Sequence, residues 1–128
     1  MVSVEGRPTT RKTRIIARNQ QVVRLDRETT LPLPDAAARS LRAAVDRAIP
    51  RADGAIVEDY GKGVVNQQIL DAIRSAANER GIPIGLDPQE DHQLDLSGLD
   101  LITPNRREAF VAAGLPVPDQ EHVPPLED

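Results

Sequence analysis

Between Thr10 and Thr29 apolar and charged residues interleave. Ile15 and Ala17 share one parity, Arg14, Ile16 and Arg18 the other, and Val22, Val23 and Leu25 follow the polar run Asn19-Gln20-Gln21. A period of two interrupted by a polar turn predicts two short antiparallel strands joined at that run. Both parities carry apolar residues, so two semi-apolar faces are expected. A ribbon of this kind is marginal alone and needs a partner surface. Leu31-Pro32-Leu33-Pro34 reads as a stiff connector. Asp35 follows as the N-cap of a helix whose stripe is Ala37, Leu41, Ala44, Val45 and Ala48, with Pro50 ending it.

From Gly54 onward the pattern alternates between strand and helix. Gly54 to Val57 is a short apolar run bounded by Asp53-Gly54 and Asp59-Tyr60-Gly61-Lys62-Gly63, as a buried strand feeding a loop would be. Ile69, Ile73, Ala76 and Ala77 have helical spacing after Asn66, and Gly81 is a left-handed stop. Ile82 to Leu86 is a second strand, closed by Asp87-Pro88. Leu99, Leu101 and Ile102 suggest a third, and a helix runs from Asn105 through Ala113. This order predicts an α/β fold with a parallel sheet under helical cover. Three strands leave both sheet edges open unless further chain or another subunit pairs with them. The expected organisation is a ribbon over 1–30, an α/β core over 31–114 and a disordered tail over 115–128, where prolines cluster without periodicity.

A chain of 128 residues suits one modest domain. Tyr60 and Phe110 are its aromatics, so the core must be aliphatic. The net charge of −4 is spread through interleaved signs, which argues against nucleic acid or an anionic membrane as partner. The local exception is Arg7 to Arg27, where seven Lys or Arg residues face only Asp26. Without cysteine there is no disulfide or thiolate metal site. No apolar run has membrane-spanning length and the start lacks a signal-peptide pattern, so a cytoplasmic location is expected.

Candidate chemistry gathers at the predicted strand ends, where open α/β sheets hold their ligands. In Asp59-Tyr60-Gly61-Lys62-Gly63, the glycines permit close backbone approach, Lys62 offers a phosphate-compatible charge and Asp59 can accept from hydroxyls. An ordinary glycine-rich turn explains the same residues equally well. Asn105-Arg106-Arg107-Glu108 has capping-box spacing, and the cap is the simpler reading; the functional one places phosphate at the helix start and hydrated Mg²⁺ on Glu108. Asp87 before Pro88 is common turn chemistry, yet the strand order would let it converge with Asp59 and Asn105 on one rim. The run Arg7 to Arg14, with Lys12 and Arg14, could grip a sugar phosphate or simply protect an edge ribbon. His92 and His122 have no second ligand at metal spacing and read as surface residues.

Arg7-Pro8-Thr9-Thr10-Arg11-Lys12-Thr13-Arg14-Ile15-Ile16-Ala17, Asn19-Gln20-Gln21 with Arg24 and Asp26, Asp59-Tyr60-Gly61-Lys62-Gly63, Asp87-Pro88 and Ile102-Thr103-Pro104-Asn105 with Glu108 form an ordered set. That set resembles the heptose 7-phosphate kinases of the ribokinase/PfkB superfamily, and it covers most of the chain up to about Gly114. The resemblance implies a central fragment of a ribokinase-like α/β sandwich that passes the ATP γ-phosphate to C1 of D-glycero-D-manno-heptose 7-phosphate, with Mg²⁺ as cofactor. It places Asn105, Arg106, Arg107, Glu108 and Asp87 at the nucleotide, Glu108 on the metal through water, and Lys12, Arg14, Asp59 and Lys62 at the substrate. The ribbon would be a lid that clasps a second copy, giving a homodimer, or the chain would be completed by another polypeptide.

The departures are as informative. The family's Gly-Ala-Gly-Asp segment, which carries the general base and an anion hole, has no counterpart here, nor does the glycine-rich N-terminal sugar-binding half. No catalytic residue is therefore assigned, and the chain alone is expected to be inactive. Gln89 stands where relatives have lysine after Asp-Pro. Another sugar or nucleoside kinase fragment, or a non-catalytic dimerisation module, is the alternative.

Overall fold

A computed structural model describes residues 1–117. Strands β1 (Arg11–Ala17) and β2 (Gln20–Arg27) pair antiparallel around a two-residue loop. Its residues Arg18 and Asn19 have φ of 47° and 64°. Positive φ at both central positions gives a turn whose twist matches the strands, so the turn sits earlier than Asn19-Gln20-Gln21 and the two glutamines enter β2. The register places Thr13 opposite Leu25 and Ile15 opposite Val23, with Lys12 opposite Asp26 and Arg14 opposite Arg24. Residues directly opposite share a face. The expected two semi-apolar faces thus resolve into one mainly apolar face and one mainly charged, with Ile16 on the charged side. A register shift after Ile15 leaves Val22 unpaired, and every residue of both strands is exposed.

Helix α1 (Asp35–Ala48) begins one residue earlier than expected. Pro34 occupies the N-cap and no side chain caps the helix; Asp35 instead lies in the first turn, where its charge opposes the positive end of the helix dipole. Ala37 is buried while Leu41, Ala44 and Val45 are half-buried, and Ala48 is exposed. A 3-10 turn over Ile49–Arg51 absorbs Pro50 and buries Ile49. Helix α2 (Gln67–Arg80) is framed as its sequence predicts. Asn66 Oδ1 accepts the Ile69 N–H at 2.9 Å, and Gly81 ends the helix at φ 65°.

Strands β3 (Ala55–Glu58), β4 (Ile84–Asp87) and β5 (Leu101–Ile102) form a parallel sheet in the order β3-β4-β5. Helix α3 (Arg106–Ala112) follows β5. The core joins Val57, Val65, Leu70 and Leu86, with Ile73, Leu94, Leu96 and Leu99 packed around them. It lies where α2 covers one side of β3 and β4. On the other side Ile56, Gly85 and Leu101 are neighbours by register, and Ile56 and Leu101 are exposed. Parallel sheets are normally covered on both faces. This one has an uncovered apolar face and two unpaired edges among the described residues. Between β4 and β5, Asp95 accepts from Ser97, which holds its carboxyl below the usual range. The expected tail over 115–128 lies outside the described residues from 118 onward, as does His122.

Candidate functional site

Parallel pairing aligns the three strand ends, and the loops that leave them emerge side by side. The Asp59 N–H donates to the Asp87 carbonyl at 3.0 Å, the Thr103 N–H to the Leu86 carbonyl at 3.1 Å, and the Thr103 hydroxyl to Asp87 Oδ1 at 2.8 Å. A cleft of about 840 Å³ opens over this edge. Thr9, Thr10 and Lys12 from the start of the ribbon line it, together with Asp59, Tyr60 and Lys62, Asp87 to Gln89, and Glu108. Lys12, Asp59, Lys62, Asp87 and Glu108 are therefore brought together. Arg14, Asn105, Arg106 and Arg107 do not line the cleft.

The glycine-rich loop is organised by Asp59, which is buried. Its Oδ1 accepts the Gly61 N–H at 2.8 Å, and its Oδ2 is bonded to His92 Nδ1. Both carboxylate oxygens are thus engaged within the protein, so Asp59 shapes the loop instead of presenting a free acceptor. His92 is not the unpartnered surface residue its polar neighbours suggest. It sits 33 positions away in sequence, and no local pattern could announce the pairing. Lys62 is likewise paired: its Nζ lies 2.6 Å from Glu28 Oε1, just past the end of β2. Beside them the Tyr60 hydroxyl donates to Glu58 at 3.0 Å, and this bond, with the Glu58 charge, raises the phenol above its ordinary pKa.

At the third loop the capping box is complete. Asn105 Oδ1 accepts the Glu108 N–H at 3.0 Å and Glu108 Oε2 accepts the Asn105 N–H at 2.7 Å. Arg106 lies 5.9 Å above the Phe110 ring, a cation–π distance. Arg107 pairs with Glu90, which stabilises its charge further. Both arginines belong to α3, with Arg107 tied to Glu90 in the loop after β4. On the ribbon, Lys12 Nζ is 3.7 Å from Asp26, a loose pairing, and Arg14 faces Arg24. Lys12 is thus the more available cation at the cleft.

Among the described residues no three His, Cys, Asp or Glu side chains are grouped as a metal site would require. A divalent cation kept largely hydrated needs only one or two carboxylates, and Asp87 and Glu108 fit that demand, both facing the cleft. No helix among the described residues is long and apolar enough to cross a membrane.

No family model matches the chain. The bifunctional protein HldE of Trichlorobacter lovleyi is 41% identical over 114 residues, covering 89% of this chain and 23% of that protein. The bifunctional protein HldE of Gluconacetobacter diazotrophicus is 42% identical over 117 residues, 91% of this chain and 24% of the relative. That of Citrifermentans bemidjiense is 40% identical over 118 residues, 90% of this chain and 24% of the relative. The chain spans about a quarter of the length of the curated relatives it matches. The resemblance seen in the ordered motifs and these comparisons agree: about nine tenths of this chain corresponds to a stretch of the bifunctional HldE proteins.

Proposed function

We propose that this chain supplies part of an ATP-dependent sugar-phosphate kinase acting on C1 of D-glycero-D-manno-heptose 7-phosphate, within ADP-heptose synthesis for lipopolysaccharide. The observation that best supports this reading is the shared cleft lined from the ends of β3 and β4 and by Glu108 of α3, with Thr9, Thr10 and Lys12 from the start of the ribbon. In this reading the ribbon is a lid over the acceptor sugar. Lys12, with Arg14 farther along, meets the 7-phosphate; Lys62 and the loop shaped by Asp59 form the acceptor wall. Asp87 and Glu108 mark the nucleotide end, with Asn105 setting the position of Glu108 through the cap and Arg106 and Arg107 near the nucleotide's outer face. Magnesium bound with ATP would be held through water by Glu108, with Asp87 beside it, and would neutralise charge on the phosphates.

These residues bind and orient; none is assigned to remove the acceptor proton. A base and an anion hole provide much of the acceleration of phosphoryl transfer, and the family's segment for both has no match in this sequence. The 128 residues alone are expected to give no heptose-dependent ATP turnover. The test is a chimera in which this chain replaces the matching stretch of Trichlorobacter lovleyi HldE. Kinase activity should be retained, and Asp87→Ala or Glu108→Gln should lower its kcat by about 100-fold, leaving nucleotidyl transfer to heptose 1-phosphate intact. If nucleotidyl transfer fell instead, the stretch would belong to the other activity.

The ribbon's apolar face favours a second component, self-association. Ile15, Val23 and Leu25 share this face and are exposed. Pairing two ribbons would remove that surface from water. Sedimentation velocity should show a concentration-dependent dimer that Ile15→Lys with Leu25→Lys converts to monomer. A dimer unaffected by these changes would place the contact elsewhere. Dimerisation without nucleotide affinity would favour a non-catalytic module.

A further inference from the structure

We propose that Lys62 is a two-position latch: Glu28 holds it when the cleft is empty, and an oxyanion in the cleft takes it over, releasing the base of the ribbon. The inference rests on the reading of the cleft as a phosphate site and adds to it a competitor built into the chain. Lys62 is placed for both roles, because it is bonded to Glu28 and also lines the cleft.

The Glu28 end of the pair is poorly satisfied. Its Oε1 takes the Lys62 ammonium, while Oε2 is buried without a hydrogen-bond partner among the described residues. A buried carboxylate oxygen that lacks a donor forfeits the hydration it would have in water. Exchanging the ion pair for solvent at Glu28 therefore recovers a bond that the closed arrangement denies. A phosphate, with more acceptor oxygens and more charge than a carboxylate, is the stronger claimant on the ammonium.

Release at Glu28 leaves the rest of the hinge intact. Arg7 donates to the Leu31 carbonyl at 2.7 Å and also to the Lys62 carbonyl, and the Leu33 N–H donates to the Gly63 carbonyl at 3.1 Å. Two of these bonds use backbone carbonyls of the glycine-rich loop, and none uses the Lys62 ammonium. The connector stays docked while Glu28, just past the end of β2, is freed, so the ribbon pivots about Leu31 and Leu33. Filling of the cleft is thereby transmitted to the ribbon.

The experiment titrates the 128-residue chain with inorganic phosphate at constant ionic strength, in wild type, Glu28→Gln, Glu28→Ala and Lys62→Met, by calorimetry. Removing the competitor should tighten phosphate binding about five-fold in both Glu28 variants, and Lys62→Met should weaken it. The carboxyl ¹³C resonance of Glu28 should move on saturation in wild type and stay still in Lys62→Met. Phosphate binding that is unchanged or weaker in both Glu28 variants would overturn the latch while sparing the cleft as an anion site. Absence of binding in every form would overturn both.

Discussion

Truncating Leu70 to alanine should destabilise the chain by about 2–5 kcal/mol. Leu70 is fully buried and belongs to the cluster with Val57, Val65 and Leu86, so it fastens α2 to the sheet. Among the described residues the other large side chains buried to the same degree are Ile84 and Leu86, and no aromatic ring enters the cluster to fill space left behind. Small domains have about 5–15 kcal/mol in total, so this single cavity would remove a large share of it. Urea unfolding followed by circular dichroism should show the midpoint falling by about 1–3 M, given typical slopes for small proteins. Leu70→Met nearly conserves volume and should cost less than about 1.5 kcal/mol. Equal midpoints for alanine and wild type would mean that the α2 face does not carry the core.

Gly63→Ala should undock the connector and cost about 3 kcal/mol locally, combining left-handed backbone strain with the loss of one or two hydrogen bonds. Gly63 has φ 69°, and a Cβ there would run into the backbone of Thr30 and Leu31. Neither a rotamer change nor a side-chain shift can relieve a backbone collision, so the segment carrying Leu31 must move. The Leu33 N–H would then lose the Gly63 carbonyl, and Arg7 could no longer bridge Leu31 and Lys62. Hydrogen exchange should show Leu33 unprotected, with the Leu70 amide, bonded to the carbonyl of the capping Asn66 in the first turn of α2, still protected. Gly61→Ala is the control. Its φ is 63°, but its Cβ would meet only the flexible Gln89 side chain, so Leu33 should stay protected. Matching exchange at Leu33 in the two variants would remove Gly63 as the docking point.

The elements were legible because their signals are local. Asn66 and Gly81 bracket α2 through a side-chain cap and a left-handed stop, both properties of single residues. The Asn105 and Glu108 pair forms the cap that its spacing predicts. Where local preference was ambiguous, the reading slipped. Asp35 could cap or begin α1, and it begins it. The hairpin could turn at Arg18-Asn19 or at Asn19-Gln20-Gln21, and the twist of paired strands selects the two-residue loop.

Sequence alone determined the order of strands and helices, the basic character of the ribbon and which loops carry the candidate residues, since periodicity, capping and charge are written residue by residue. Only tertiary structure decided which partners hold the candidate side chains. Asp59 is taken by His92, Lys62 by Glu28 and Arg107 by Glu90, partners 33, 34 and 17 positions apart. Such pairings depend on how parallel strands align and where the connector docks, and a short-range pattern carries no trace of either. The same physics explains the ribbon. Alternation placed apolar residues on both parities, and the cross-strand register then gathered Ile15, Val23 and Leu25 on one face.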